Sequence, residues 1–374
     1  MKDPAVVDIR DCGERLAQFD AIVDARSPSE YAEDRLPGAI SAPVLDDAER
    51  ARVGTIYTQR SPFEARRLGA ALVSANIARM LQTTFADCDR DWRPLVYCWR
   101  GGNRSGALAT VMARIGWRTS VLDGGYRAFR RYVVERLEQL PSQFQFVVIA
   151  GRTGSAKSRI LQQLAAAGEQ VLDLEALAAH RGSVLGGMPG AEQPSQKRFE
   201  TELWRELASL RPQRPVFVEA ESRKVGARQV PARLIESIRA ARCVRIEADA
   251  QVRTRFLLDE YRHFVDAPES LYAQLDCLAP LHGAQRIAQW KSLAQRGDWP
   301  AFVETLLHEH YDPAYDRSMR GNFDRLDRAD TVGLAAADAG AIAAAARVIA
   351  DRFRSEAARD AARPANAPSA PPGT

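Results

Sequence analysis

The chain has 374 residues, 46% of them hydrophobic and 27% charged, proportions that suit two globular domains with a core each. A net charge of +4 permits RNA binding without arguing for it, because an Arg-rich face matters more than bulk charge. Five cysteines (Cys12, Cys88, Cys98, Cys243, Cys277) lack paired spacing, which speaks against a disulfide framework and a zinc site, and no apolar run reaches the ~18 residues of a membrane span. The expectation is a cytoplasmic protein in a reducing compartment, without a membrane partner.

Residues 21–26 read as a short apolar strand ending in Asp24 and Arg26. A helix opens next, with Ser27 as N-cap, Pro28 at its first position and Glu30 three residues after the cap. Residues 36–40, Leu-Pro-Gly-Ala-Ile, return to the sheet.

Residues 97–106 read Tyr-Cys-Trp-Arg-Gly-Gly-Asn-Arg-Ser-Gly, directly after a buried apolar run. Cys98 thus sits where a strand ends and a helix begins. The following loop is Trp99, Arg100, Gly101, Gly102, Asn103, Arg104 and Ser105. Such a loop turns backbone N–H groups inward, and the helix adds its positive end. Both favour a bound anion and Cys98 as thiolate, whose pKa in such a cradle can fall to ~3.5–7.5. Cys98 therefore reads as a nucleophile facing an oxyanion or chalcogen donor, with Arg104 as a bidentate ligand for that donor. Residues 121–126, Val-Leu-Asp-Gly-Gly-Tyr, precede a helix over 126–137, and residues 140–142 form a linker.

A second buried strand, 144–150, runs into Gly151-Arg152-Thr153-Gly154-Ser155-Ala156-Lys157-Ser158 and then a helical pattern. Strand, phosphate loop, helix is the context a P-loop requires. Loop N–H groups would cradle phosphates, Lys157 would reach a terminal phosphate and Ser158 would lie near Mg²⁺. Only five of the 52 Lys and Arg residues are Lys, so a Lys at 157 points to a need for a compact ammonium. Ala156 stands where the pattern has its last Gly, a change that costs little if φ there is negative.

Residues 170–175 read as a strand with Asp173 and Glu175 near its end; His180 and Arg181 follow, then Gln193-Pro194-Ser195-Gln196-Lys197. The strand over 215–219 leads into Glu219, Glu221, Ser222, Arg223 and Lys224, where Glu219 or Glu221 could organise a metal; no residue is assigned as a definite metal ligand. Residues 248–310 are mostly helical, and His308-Glu309-His310 places two His at i and i+2, which do not share a helix face. Residues 334–353 form an Ala-rich helix, and 361–374 are Pro/Ala-rich and expected to be disordered.

The order strand, Asp-x-Arg, capped helix, "LPGAI", Cys loop and "LDGGY" resembles a rhodanese domain over about residues 8–135. Five residues separate Cys98 from Arg104, one more than ordinary rhodaneses have and the length used by related phosphatases, so the cradle is wide enough for a phosphorus-bearing donor. Joined to "GRTGSAKS", "LDLEALAAHRGS", "QPSQKRFE" and "VEAESRK", this resembles the tRNA 2-selenouridine synthase family over roughly residues 8–330. The resemblance implies an α/β protein with a rhodanese-like domain (8–138), a P-loop NTPase-like α/β domain (144–245) and a helical C-terminal extension (246–355). It implies replacement of sulfur by selenium in wobble 2-thiouridine of tRNA, through an S-geranylated intermediate. Selenophosphate and geranyl diphosphate would be substrates, with no tightly bound cofactor, Mg²⁺ possible, and a selenophosphate-producing enzyme as a possible partner. Cys98 would carry selenium. Two other readings are a Cys-dependent phosphatase or sulfurtransferase fused to a kinase-like module, and a non-catalytic RNA-binding protein whose P-loop docks the phosphate backbone.

Overall fold

The computed structural model describes residues 3–183, 185–187, 190–323 and 325–362. Contacts divide the chain into two compact units: residues 1–140 with 194–209, and residues 141–193 with 210–374.

The first unit is built on β1 (Ala5–Val7), β2 (Ala21–Asp24), β3 (Ala39–Ser41), β4 (Pro94–Tyr97) and β5 (Ser120–Leu122), in the order β1-β5-β4-β2-β3. Every pairing in this sheet is parallel. Parallel neighbours need crossover segments, and helices covering both faces make the central strands apolar throughout. Val23, Leu95 and Val96 accordingly have no exposed surface, and Leu108 and Met112 of a crossover helix close over Val23 and Val96. Three helices position the site. α1 (Pro28–Glu33) starts at Ser27 with the expected capping box. α2 (Asn103–Ile115) follows the Cys98 loop, and α3 (Gly125–Gln139) follows β5.

The second unit opens with β6 (Phe146–Ala150), buried along its whole length, then α4 (Lys157–Ala166) and β7 (Gln170–Leu172). The chain then sends α5 (Gln196–Ser209) to the first unit. This differs from the sequence expectation, which placed 194–209 inside the P-loop domain. The helix is amphipathic, and its stripe of Phe199, Leu203, Trp204 and Leu207 is buried. The Trp204 ring meets Phe129 and Tyr132 of α3 edge-on, with centroids 5.7 and 5.6 Å away. Thr201 donates to the Asp34 carboxylate at 3.0 Å, and Lys197 pairs with Glu33 at 2.7 Å. Periodicity dictates that such a stripe be covered; which surface covers it depends on the complementary aromatic face.

The sheet of the second unit is completed by β8 (Val216–Glu219), β9 (Arg242–Glu247) and β10 (Asp330–Gly333), in the order β10-β9-β6-β8-β7, again all parallel. Between β9 and β10 lie α6 (Ala250–Glu260), further helices and α7 (Asp312–Asn322); α8 (Ala339–Ala362) follows. The region expected as a helical extension (246–355) thus contributes β10 to the sheet as well as helices. Val332 and Leu334 lie in one apolar cluster with Ile342, Ala346 and Ile349 of α8, Ile160 and Leu164 of α4, and Val147 and Ile149 of β6. The Ala-rich character of α8 lets it approach the sheet closely. A separate cluster around Trp290, Leu271, Leu275 and Phe302 holds the remaining helices together. Residues 363–374 of the expected disordered tail lie outside the described residues. No helix among the described residues is long and apolar enough to cross a membrane.

Trp204 is 2% exposed and carries most of the aromatic contact between α5 and α3. Trp204→Ala should cost about 3–5 kcal/mol, the usual range for emptying a large aromatic site. Urea unfolding followed by far-ultraviolet circular dichroism reads this; a superimposable unfolding curve would contradict the docking of α5.

Candidate active site

The Cys98 loop lies at the carboxyl end of β4. Cys98 is 3% exposed, and its sulfur accepts a hydrogen bond from the Ser105 hydroxyl at 3.1 Å. Burial pulls the thiol pKa up. The Ser105 hydroxyl, the backbone N–H groups of Ser105 and Arg100 and the charge of Arg104 outweigh it, so the net shift is downward. The loop is clamped from behind. Tyr126 N–H donates to the Cys98 carbonyl at 2.8 Å, and Arg127 N–H to the Trp99 carbonyl at 3.1 Å. Gly125 allows this approach: its φ is +55°, and a Cβ there would lie 2.3 Å from the Cys98 carbonyl oxygen. The Trp99 ring leans on Tyr126 at 5.4 Å.

Asp24 and Arg26 form a fully buried support. Arg26 is held on both Asp24 oxygens, at 3.0 and 2.7 Å, and by the Asp34 carbonyl at 2.6 Å; its guanidinium lies 4.1 Å from the Tyr126 ring centroid. Tyr97 donates to Asp24 at 2.6 Å, and Tyr126 to Asp34 at 2.8 Å. These groups fix the ends of β2 and β4 and the start of α3 around the Cys98 loop. Arg104 departs from its expected role as a free bidentate ligand. Its guanidinium already grips both oxygens of Glu30, at 2.6 and 3.2 Å. Glu30 sits below the ordinary carboxylate range: burial pushes its pKa up, but Arg104 and Ser27 more than compensate. Arg104 therefore sets the field at the thiol from an anchored position. Arg100 and Asn103 are exposed at the loop rim.

The second loop, residues 151–158, follows β6. Lys157 Nζ curls back to the Gly151 carbonyl at 2.9 Å, and Gly151 N–H donates to the Tyr315 hydroxyl at 2.7 Å. Gly154 has φ of +84°, and a Cβ there would press on Arg253 at 3.0 Å. Ala156 corrects the sequence expectation, since its φ is +57°, in the left-handed region. The loop needs that conformation to turn consecutive N–H groups inward, and the alanine tolerates the resulting Cβ crowding.

Three carboxylates gather beside Lys157. Glu175, Glu219 and Glu221 each offer an oxygen within 4.8 Å of the others, and Ser158 donates to Glu175 at 3.0 Å. Burial, then mutual repulsion, raises Glu175 and Glu219 to about 8 and Glu221 to about 7, with Lys157 opposing. Glu219 is 2% exposed and its Oε1 has no hydrogen-bond partner. A buried carboxylate oxygen without a donor, among other hard oxygen ligands, suits a divalent cation such as Mg²⁺.

This loop and triad line a cavity of about 630 Å³, with Arg181, Tyr261, His310 and Tyr311 on its far walls. An apolar slot adjoins it, sharing Thr153, Ser183, Leu257, Tyr261 and Tyr311 and continuing past Phe264, Leu271, Phe302 and Leu306.

Residues 144–274 match the family model of the tRNA 2-selenouridine synthase AAA domain, and residues 8–132 that of the rhodanese-like domain. The chain is 31% identical to the tRNA 2-selenouridine synthase of Alcanivorax borkumensis across 79% of its own length and 88% of the relative's. The chain belongs to the tRNA 2-selenouridine synthase family. The family's protein from Pseudomonas fluorescens is 32% identical, over 80% of this chain and 89% of that one. The family's protein from Nitrosomonas europaea is 34% identical over 64% of this chain, an alignment that spans 63% of that relative's length. Membership in an enzyme family displaces the non-catalytic RNA-binding reading and the phosphatase reading.

Of the second-domain residues singled out from sequence, Asp173, Glu175, Arg181, Glu219, Glu221 and Ser222 line the cavity. Asp173 does so while capping the short helix after β7, accepting from Ala176 N–H at 2.8 Å. His180 is not among the lining residues; its Nδ1 accepts from Gly182 N–H at 3.1 Å and it shapes the following turn. Arg223 and Lys224 are exposed beyond the cavity.

Several residues of the site had no sequence signal. Arg253 binds both oxygens of Asp312 at 2.8 Å and the Thr153 carbonyl at 3.1 Å; Arg152 pairs with Asp316 at 2.8 Å. Glu260 holds Arg181 at 2.8 Å and Arg159 at 2.9 Å. Together α6 and α7 brace the phosphate loop from segments about 100 and 160 residues downstream, a distance local periodicity cannot report.

Two tests follow from this geometry. Ser105→Ala removes the donor on the Cys98 sulfur, so the thiol pKa should rise and the pH profile of Cys98 alkylation should move to higher pH; an unmoved profile would contradict the assignment. Ala156→Gly removes a left-handed cost of ~1–2 kcal/mol. It adds ~0.4–1 kcal/mol of unfolded-state entropy. Ala156 is 3% exposed and part of the core cluster, so loss of its methyl costs a further ~0.8 kcal/mol. The terms nearly cancel, and the thermal midpoint should stay within a few degrees of wild type; a drop as large as that of a core truncation would count against the left-handed assignment.

Proposed function

We propose that this chain replaces sulfur by selenium in 2-thiouridine of tRNA in two steps, prenylation of the sulfur at the phosphate loop and selenium delivery at Cys98. What supports the first assignment is the apolar slot adjoining the phosphate-loop cavity, a narrow space of about 60 Å³ whose lining side chains must part to seat a prenyl tail. A diphosphate on residues 151–158 with a hydrocarbon tail in a slot lined by Leu257, Phe264, Leu271, Phe302 and Leu306 is an isoprenyl diphosphate such as geranyl diphosphate. A nucleoside has hydrogen-bonding groups that such a slot would strand.

Lys157 and the loop N–H groups bind the diphosphate and stabilise the charge that develops on it as it leaves. Glu175, Glu219, Glu221 and Ser158 would hold Mg²⁺, which when bound neutralises diphosphate charge. The loop's Gly154 keeps the floor close to Arg253, and the Arg253–Asp312 pair keeps α7 against it.

Selenium delivery is assigned to the Cys98 loop. Its inward N–H groups and helix N-terminus suit a selenophosphate, and the downward shift of the thiol pKa favours the nucleophilic thiolate. The donor's phosphorus group would lie over the loop, with Arg104 contributing charge from its Glu30 anchor. The tRNA partner is carried by the family, and a selenophosphate-producing enzyme would supply the donor.

The two loops predict separable losses. Lys157→Ala should stop geranylation of 2-thiouridine tRNA yet spare selenation of tRNA geranylated beforehand. Cys98→Ala should do the reverse. Mass analysis of tRNA nucleosides reads both. Loss of both steps in the Lys157 variant, or strict dependence of either step on ATP, would overturn the assignment of the phosphate loop to the prenyl donor.

A further inference from the structure

The His308-Glu309-His310 segment is absorbed neither by the diphosphate nor by the acidic triad. It lies in a π-helical turn, Leu307–Tyr311, wedged between the helix Trp299–Leu306 and α7. An inserted residue of this kind re-aims side chains and is frequent at functional sites. Here it turns His310 and Tyr311 toward the phosphate-loop cavity, where both line the wall. Tyr311 also borders the apolar slot. His310 therefore stands near the junction of the two spaces, where the first carbon of a prenyl chain would meet an incoming acceptor.

His310 has a partner. His282, at the end of the helix Ala279–His282, brings its Nε2 within 3.0 Å of His310 Nδ1. The His282 ring is in turn packed edge-on against buried Trp290 at 4.9 Å. Two imidazole rings joined in this way share one proton between the facing nitrogens. When that proton sits on His310 Nδ1, the His310 Nε2 carries a lone pair, the arrangement of a base oriented by a second group.

We infer that His310 is the general base of the prenyl-transfer step, with His282 as the positioning residue that fixes its tautomer. The inference rests on the reading of the phosphate loop as a prenyl-diphosphate site. The step it serves has a defined proton to remove. As the 2-thio sulfur of the uridine attacks the first prenyl carbon, the sulfur–carbon bond forms and the carbon–oxygen bond to diphosphate breaks. The electron pair of that broken bond leaves with the diphosphate. Alkylation converts the C2 thione into a thioether, so the N3–H bond electrons become the new N3–C2 double bond and the N3 proton departs. His310 Nε2 takes that proton. Its Nδ1–H stays hydrogen-bonded to His282 Nε2, which holds the ring in place as the proton is taken.

The surroundings keep His310 neutral beforehand. Burial lowers its pKa, and His282 and the Arg317 charge of α7 lower it further. The neighbouring Glu309 carboxylate is engaged by Arg286 at 3.2 Å. A base neutral at pH 7 can accept a proton without first losing one.

The test uses the full chain with 2-thiouridine tRNA and geranyl diphosphate. The expected result for His310→Gln is a fall in kcat on the order of 10²-fold, with the KM for geranyl diphosphate and its calorimetric Kd unchanged. Wild-type kcat should rise with pH along a limb that lies below the ordinary imidazole pKa, because the His310 titration is shifted downward, and the variant should lose that limb. His310→Asn provides a second non-basic variant should the glutamine fold poorly, and thermal melting checks both. A kcat within a few-fold of wild type, a loss confined to KM, or a retained pH limb would overturn the assignment of the base alone. Failure of the wild-type chain to bind geranyl diphosphate at all would overturn the prenyl-diphosphate reading and the base with it.

Discussion

Parallel pairing governs this molecule. In both five-stranded sheets each strand runs alongside its neighbours in the same direction, so each return requires a crossover and every loop that leaves a strand's end falls on the same edge. At that edge helices begin, and their first N–H groups have no partner within the helix. The Cys98 loop and the phosphate loop are two solutions to that one situation. Each turns unsatisfied donors and a helix's positive end on an anion, and each depends on a residue at positive φ to do it: Gly101 and Gly125 around the thiol, Gly154 and Ala156 in the phosphate loop.

What differs between the loops is the charge set against those donors. Around Cys98 two of the acids are paired with arginines and a third is hydrogen-bonded to hydroxyls. Asp24 is paired with Arg26, Glu30 with Arg104, and Asp34 is held by Tyr126 and Thr201. The remaining field favours a thiolate. Beside Lys157 three carboxylates share one ammonium, and burial together with their mutual repulsion holds their pKa values high. Such a cluster has the donor set that a hard divalent cation takes. One loop thus favours a negative charge of its own, and the other sets three carboxylates against a single ammonium.

The helices that close the second unit add the feature a bare phosphate loop lacks. α6 and α7 lock onto residues 151–154 through Arg253, Asp312 and Tyr315, and the helices between them form the apolar slot. The brace and the slot are one assembly: Leu257 of α6 lines the slot, while Arg253, one turn earlier, holds the loop. One helix therefore serves both the slot and the loop brace.

The sequence alone determined the two anion loops, because strand, Gly-rich turn and helix are contiguous and each local preference agrees with the next. It also determined the capping box at Ser27 and the acids at the ends of β7 and β8. It misjudged Ala156, since a residue's identity does not report the φ that its loop imposes. It could not tell that α5 serves the first unit, that residues 330–333 complete the second sheet, or that Glu30 anchors Arg104. Nor could it show that His282 and His310 meet, or that Leu257, Leu271 and Phe302 enclose one slot. Those are contacts between distant segments. An amphipathic stripe or a charged side chain declares that it needs a partner, and only the packed chain decides which partner is within reach.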